Sequence, residues 1–89
     1  MKLKSGIVTD QIDKDQFVAV ATGEAAKSFS GMIRNNKTAA FLFELLREEQ
    51  SEDSLVEALL QEYEVSEEVA RQDVRRIVKQ IREAGILND

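Results

Sequence analysis

The chain has no cysteine, no histidine and no proline, and its four glycines, Gly6, Gly23, Gly31 and Gly85, stand alone. Without cysteine there is no disulfide framework, no thiolate nucleophile and no sulfur ligand for zinc or an iron–sulfur cluster. Without histidine, the usual general base at neutral pH and the commonest metal ligand are both missing. Isolated glycines exclude a phosphate-cradling loop, which needs them clustered. No apolar run approaches the roughly 20 residues of a membrane span, and the opening MKLKSGIVT lacks the apolar stretch of a signal peptide. The expectation is a cytoplasmic protein without membrane association. The carboxylate clusters Glu48-Glu49, Glu62 with Glu64, and Glu67-Glu68 fall at helix ends or turns, where solvent keeps them ionised. No catalytic residue, metal site or cofactor is therefore expected, and the chain reads as a non-enzyme.

What is present suits one small folded domain spanning 1–89. A chain of 89 residues buries only about 60% of its unfolded surface, which leaves room for one modest core and no deep cleft. Its 43% apolar and 33% charged content is ordinary for a globular domain and not for a disordered one. The net charge of −5 is unevenly placed, the surplus acid lying between Glu52 and Glu68. That balance disfavours nucleic acid as the main partner, because non-specific affinity for phosphate comes from summed cationic charge.

The two halves differ in period. Ile7–Ile12 and Gln16–Ala21 are β-prone segments around the turn Asp13-Lys14-Asp15, a hairpin pattern. After a break at Thr22-Gly23-Glu24, residues Ser28 to Asn35 alternate in part, which predicts a third strand at a sheet edge. Phe29, Gly31 and Ile33 share one face of it; Ser30, Met32 and Arg34 share the other. From Lys37 the period becomes helical. Asn36 is the N-cap of a helix to about Glu49, with Phe41, Leu42, Leu45 and Leu46 inward. Phe43 falls about 100° or more off that face, and packing on the strands is the expectation for it. Ser51 caps a second helix through about Tyr63, burying Leu55, Val56, Leu59 and Leu60, and Ser66 caps a third that Gly85 ends. Three strands followed by three helices describe an α+β domain of winged-helix type with an antiparallel sheet.

The last helix carries two adjoining arcs. At about 100° per residue, Ala70, Val74, Ile77, Val78, Ile81 and Ala84 gather within roughly 120°, while Arg71, Arg75, Lys79 and Arg82 gather within roughly 80° beside them. The apolar arc docks on a core. The cationic arc reads first as a solvated helix face offset by Glu67 and Glu68 at helical spacing. Its position along the edge of the buried face is what raises it to a candidate site, since a local cationic strip attracts acidic peptides. A second motif, Asp53-Ser54-Leu55, matches the phosphopantetheine attachment tripeptide of acyl carrier proteins. Those domains open with a helix where this chain opens with strand patterns, so Ser54 reads as part of an ordinary first helical turn.

The stretch GEAAKSFSGMIRNNKTAAFLFELL, Gly23 to Leu46, followed by SEDSLVEALLQEYEVSEEVARQDVRRIVKQIREAGIL, resembles the PqqD family, named for the pyrroloquinoline quinone biosynthesis protein D. The resemblance runs from about Ile7 to Leu87. Its more specific elements are Gly31-Met32-Ile33 leading into an Asn36-capped helix, and Asp73-Val74 followed by Ile77, Val78, Ile81 and Gly85-Ile86-Leu87. It implies a three-stranded, three-helix winged-helix-like domain that binds the leader segment of a ribosomally made precursor peptide. The leader would add a strand in the cleft between the third strand and the third helix and be presented to a modifying enzyme, often a radical S-adenosylmethionine protein. Carried onto this chain, that groove comprises Ser30, Met32, Ile33, Arg34 and Asn35 on one side. On the other it comprises Arg71, Val74, Arg75, Val78, Lys79 and Arg82. Asn35 departs from the family pattern, standing where members commonly have an apolar residue.

Strand addition has a physical basis, because an open sheet edge offers unpaired N–H and C=O groups while side-chain pockets supply specificity. The resemblance thus implies a leader peptide and a modifying enzyme as partners. An unpaired third strand could equally pair with a second copy, so the expectation is a monomer or a weak homodimer. The alternatives are a winged-helix DNA-binding protein using the Arg71–Arg82 face, and an acyl carrier-like protein modified at Ser54.

Overall fold

The computed structural model describes residues 1–28 and 32–88. Strands β1 (Lys2–Leu3), β2 (Ile7–Asp13) and β3 (Gln16–Ala21) are followed by a short helix α1 (Ala25–Ser28) and by β4 (Met32–Asn35). Helices α2 (Lys37–Leu45), α3 (Glu52–Glu62) and α4 (Glu67–Glu83) and a terminal strand β5 (Leu87–Asn88) complete the chain. Strands β2, β3 and β4 form an antiparallel sheet in that order, so the expected three-stranded sheet with following helices is the architecture found. Among the described residues no helix is long and apolar enough to cross a membrane.

The hairpin forms where the sequence places it. The Asp15 N–H donates to Asp13 Oδ1 at 3.0 Å, tightening the turn, in the way short acidic side chains replace a backbone partner. A register shift between Gln11 and Asp13 leaves Ile12 exposed. The third strand of the sequence reading is shorter than expected. Ser28 ends α1, a helical turn that the alternation pattern did not reveal, and Phe29, Ser30 and Gly31 lie outside the described residues. From Met32 onward the alternation holds: Ile33 is buried, while Met32 and Arg34 are exposed. Ile33 pairs with Ala19 and, with Ile7, lines the inner face of the sheet.

Two caps set the helices against this sheet. Asn36 Oδ1 accepts from the Ala39 N–H at 2.9 Å and turns the chain directly from β4 into α2. Ser51 and Ser54 form a reciprocal capping box at the start of α3. Helix α2 buries Ala39, Leu42 and Phe43, and Leu46 beyond its end. Phe43 has no exposed surface at all, whereas Phe41 and Leu45 are only partly buried. The inward face is thus rotated relative to the one read from the sequence, toward Ala39 and Phe43. Phe41 instead meets Tyr63 edge-to-face, with ring centroids 5.8 Å apart. Leu60, expected inside, is exposed, and only Leu55, Val56 and Leu59 of α3 are buried.

Long-range hydrogen bonds tie the ends together. Thr9 Oγ1 donates to Glu44 Oε1 at 2.8 Å, and Arg47 Nη1 donates to the Ile7 carbonyl at 2.8 Å, fixing the end of α2 to β2. The Thr9 hydroxyl, and after it Arg47, hold the Glu44 carboxyl below its ordinary range. Gly85 has φ +76, the left-handed conformation that ends α4. The reversal buries Ile86 and Leu87 and brings Leu87–Asn88 into antiparallel pairing with Lys2–Leu3. This two-stranded β1–β5 ribbon was not legible in the sequence, since two residues carry no periodicity.

One polar group is poorly accommodated. Asn35 shares the inner face with Ile33, opposite Phe17, and its Nδ2 is buried without a hydrogen-bond partner among the described residues. An unmet buried donor costs about 1–3 kcal/mol. The site therefore favours an apolar residue. Asn35→Val is expected to raise unfolding free energy by about 1 kcal/mol, measured as an increase in urea midpoint without a change in slope. Phe43→Ala should lower it by about 3–5 kcal/mol, and Leu60→Ser by less than half as much, reversing the order that helical periodicity alone predicts.

Candidate functional site

Helix α4 fixes one wall of the site. Ser66 Oγ accepts from the Val69 N–H at 3.2 Å, and Glu67 and Glu68 occupy the first turn, where acids suit the helix dipole. Ala70, Val74, Ile77, Val78 and Ile81 are all buried, as the apolar arc requires. Val74 is fully buried, so it supports the wall from beneath and offers nothing to a ligand. It lies nearer the middle of the apolar arc than Val78 does. Val78 keeps 7% exposure and sits where the apolar and cationic arcs meet.

The cationic arc is present, but it is not bare. Arg71 Nη1 donates to Glu52 Oε2 at 2.8 Å and to Asp53 Oδ1 at 3.0 Å, and Arg71 also lies 4.0 Å from Glu67. Arg75 Nε donates to Glu52 Oε1 at 3.1 Å, and its Nη2 lies 3.5 Å from Glu52 Oε2. Lys79 is 4.0 Å from Glu83. The expected pair with Glu67 is thus the longest of Arg71's contacts, and the shorter ones reach across to the first turn of α3. Sequence reasoning missed Glu52 and Asp53 because helical spacing finds partners three or four residues away, whereas these lie in the preceding helix. The signal available was the acidic first turn after Ser51 in a helix joined to α4 by a short loop.

These contacts shape the local electrostatics. The Arg75 guanidinium, and after it Arg71, hold the Glu52 carboxyl below its ordinary range, with partial burial opposing them. Asp53 and then Glu52 raise Arg71 further above its already high value, so Arg71 is charged at any accessible pH. Glu52, Arg75, Val78, Lys79, Arg82 and Glu83 line a cleft of about 250 Å³. Its lining combines the nearly buried Val78, three cations and two carboxylates.

Strand β4 supplies the second candidate wall. It pairs with β3 on one side and has no strand on the other among the described residues, so its outer edge carries unpaired backbone groups. Met32 is 58% exposed at that strand. Arg34 and Asn35 line a second cleft of about 340 Å³ with Asp15, Gln16 and Asn36. Of the residues read from the sequence, Met32, Arg34, Arg75, Lys79 and Arg82 are exposed, Ile33 and Val74 are core, and Ser30 lies outside the described residues.

The Ser54 hydroxyl accepts from the Ser51 N–H at 2.9 Å and lies 2.7 Å from Gln50 Oε1. It closes the start of α3, the structural role expected of a serine in a first helical turn.

The pH dependence of the α3–α4 contact follows from Glu52. Its carboxyl titrates lower in the fold than in the unfolded chain, so the unfolded chain binds more protons across that interval. The stabilisation is full above the ordinary glutamate value of about 4.3 and is lost as pH falls through the lower value in the fold. Glu52→Gln should therefore flatten the acid limb of a plot of urea midpoint against pH, and should leave its shape near pH 7 unchanged.

The family model described as "Coenzyme PQQ synthesis protein D (PqqD)" matches residues 13–87. No protein with a curated description matches the chain. A solved structure, "TbiB1 in Complex with the TbiA(beta) Leader Peptide", contains a chain similar in fold to this one, with a TM-score of 0.74. The likeness covers 99% of this chain and 95% of that one at 20% sequence identity. A family match that takes in both the hairpin turn and the final helix leaves one assignment: the chain belongs to the PqqD family.

Proposed function

We propose that this protein is a non-catalytic adaptor that binds the leader segment of a ribosomally synthesised precursor peptide and presents it to a modifying enzyme such as a radical S-adenosylmethionine protein. The leader lies along β4 and extends the β2–β3–β4 sheet by one strand, with α4 as the facing wall. The observation that carries this reading is the unpaired edge of β4 with exposed Met32 upon it. Two findings support it: membership of the PqqD family, and a shared fold with a chain solved in complex with a leader peptide. Backbone pairing along β4 gives affinity that tolerates sequence variation, while Met32 and Val78 take apolar side chains and Arg75, Lys79 and Arg82 face acidic ones. We place the adaptor in the cytoplasm, where precursor and enzyme are made.

The charge distribution bears on the nucleic-acid alternative. Three cations of the α4 arc already have carboxylates within 4.0 Å. A phosphate backbone would meet a nearly neutral strip, which argues against DNA as the ligand.

Amide chemical-shift mapping with a leader peptide encoded beside this protein tests the reading. Shifts are expected to cluster on 32–35 and along 71–82; shifts confined to the outer faces of α2 and α3 would refute it. Arg75→Glu with Lys79→Glu should weaken leader binding by about tenfold while leaving the thermal midpoint of the free domain within a few degrees. An unchanged dissociation constant in that double variant would remove the cationic wall from the site.

A further inference from the structure

Within the cleft between α3 and α4, one carboxylate is shared unequally. Glu52 takes Arg71 on Oε2 at 2.8 Å and Arg75 on Oε1 at 3.1 Å. Arg71 has a second short acceptor in Asp53 at 3.0 Å, and is the more buried of the two arginines. Arg75 has Glu52 as its ion-pair partner among the described residues, and its side chain is 65% exposed. Its guanidinium lines the cleft together with Val78 and Lys79. A carboxylate arriving in that cleft could take Arg75 while Glu52 stayed with Arg71. No charge would be stranded by the exchange.

We propose that Glu52 is an internal stand-in for an acidic side chain of the bound peptide, holding Arg75 in the free domain and yielding it when an Asp or Glu enters the cleft. This deepens the peptide-binding reading and rests on it. The exchange turns one shared carboxylate into two separate ion pairs, a gain of about two- to fivefold in affinity for an exposed pair. Its effect is on selection. A neutral side chain has no means of displacing Glu52, whereas a carboxylate entering beside Val78 presents the same two oxygens to the same guanidinium. Glu52 also keeps the cationic wall from attracting anions of the wrong shape, since an incoming ion must compete with a partner that is already in place.

The test uses a phage-displayed library of random twelve-residue peptides selected on the whole wild-type domain. Binders that shift the amides of 32–35 and 71–82 are resynthesised with each acidic residue replaced in turn by its amide. One such replacement is expected to weaken binding to wild type. Glu52→Gln should bind the parent peptide about two- to fivefold tighter. Asp53→Asn makes the same change in net charge but touches Arg71 and not Arg75, and should leave affinity unchanged. Arg75→Gln should abolish the preference for acid over amide, a readout that does not depend on how well Glu52→Gln folds.

Unchanged or weaker binding by Glu52→Gln would overturn the inference while leaving peptide binding intact, as would equal tightening by Asp53→Asn. A selection that yielded no binders on these elements would overturn the peptide-binding reading itself, and the inference with it.

Discussion

The rotational setting of α4 is the constraint on which the rest depends. Its buried arc, from Ala70 through Val74, Ile77 and Val78 to Ile81, admits one orientation against the core. Turning the helix by a single residue, about 100°, would drive Arg71 inward and expose Ala70, Ile77 and Ile81. Because the cationic arc adjoins the buried one, the same packing that stabilises the domain also aims Arg75, Lys79 and Arg82 at the cleft. Val78 marks the seam. The site thus needs no dedicated scaffold; it is the margin of the hydrophobic core.

The ends of that helix are set independently of its packing. Ser66 caps the start, and Gly85 permits the left-handed reversal that returns Ile86 and Leu87 to the core. Leu87 then pairs with Leu3, and the Leu3 N–H donates to the Leu46 carbonyl at 2.8 Å. One chain of backbone contacts therefore links the end of α4, the first strand and the end of α2. Helix α2 is in turn anchored through Thr9, Glu44 and Arg47 to β2. The edge strand β4 is held from its other end, where Asn36 caps α2 without an intervening loop. The two candidate walls are accordingly fixed by opposite ends of the same framework.

The ionic contacts between α3 and α4 change how the cationic arc works. A bare strip of arginine and lysine would attract any anion, and its field would reach about a Debye length, roughly 10 Å at 0.1 M salt. With Glu52, Asp53, Glu67 and Glu83 within 4.0 Å of its cations, the strip's charge is largely offset at short range. What remains is a short-range arrangement of hydrogen-bond donors. Under the proposed function, the backbone of an extended peptide would supply affinity and these side chains discrimination. An overall negative charge, reinforced by the acids of α3, further discourages polyanions.

By itself the sequence determined the helix caps at Asn36, Ser51 and Ser66, the hairpin around Asp13–Asp15, and the paired arcs of the last helix. These follow from interactions within a few residues, through side-chain-to-backbone hydrogen bonds and from periodicity. The family resemblance rested on the order of those same elements. Tertiary structure alone decided which side of α2 is innermost, burying Phe43 and leaving Phe41 to Tyr63, because the contact with Tyr63 joins residues far apart in sequence. It decided that Leu60 is outside and that Val74 is beneath the wall. It also decided that Glu52 and Asp53 meet Arg71 and Arg75, a contact between residues 18 to 23 apart in sequence. No local rule contains that distance, since ion pairing depends on where two helices cross and not on the spacing within either one.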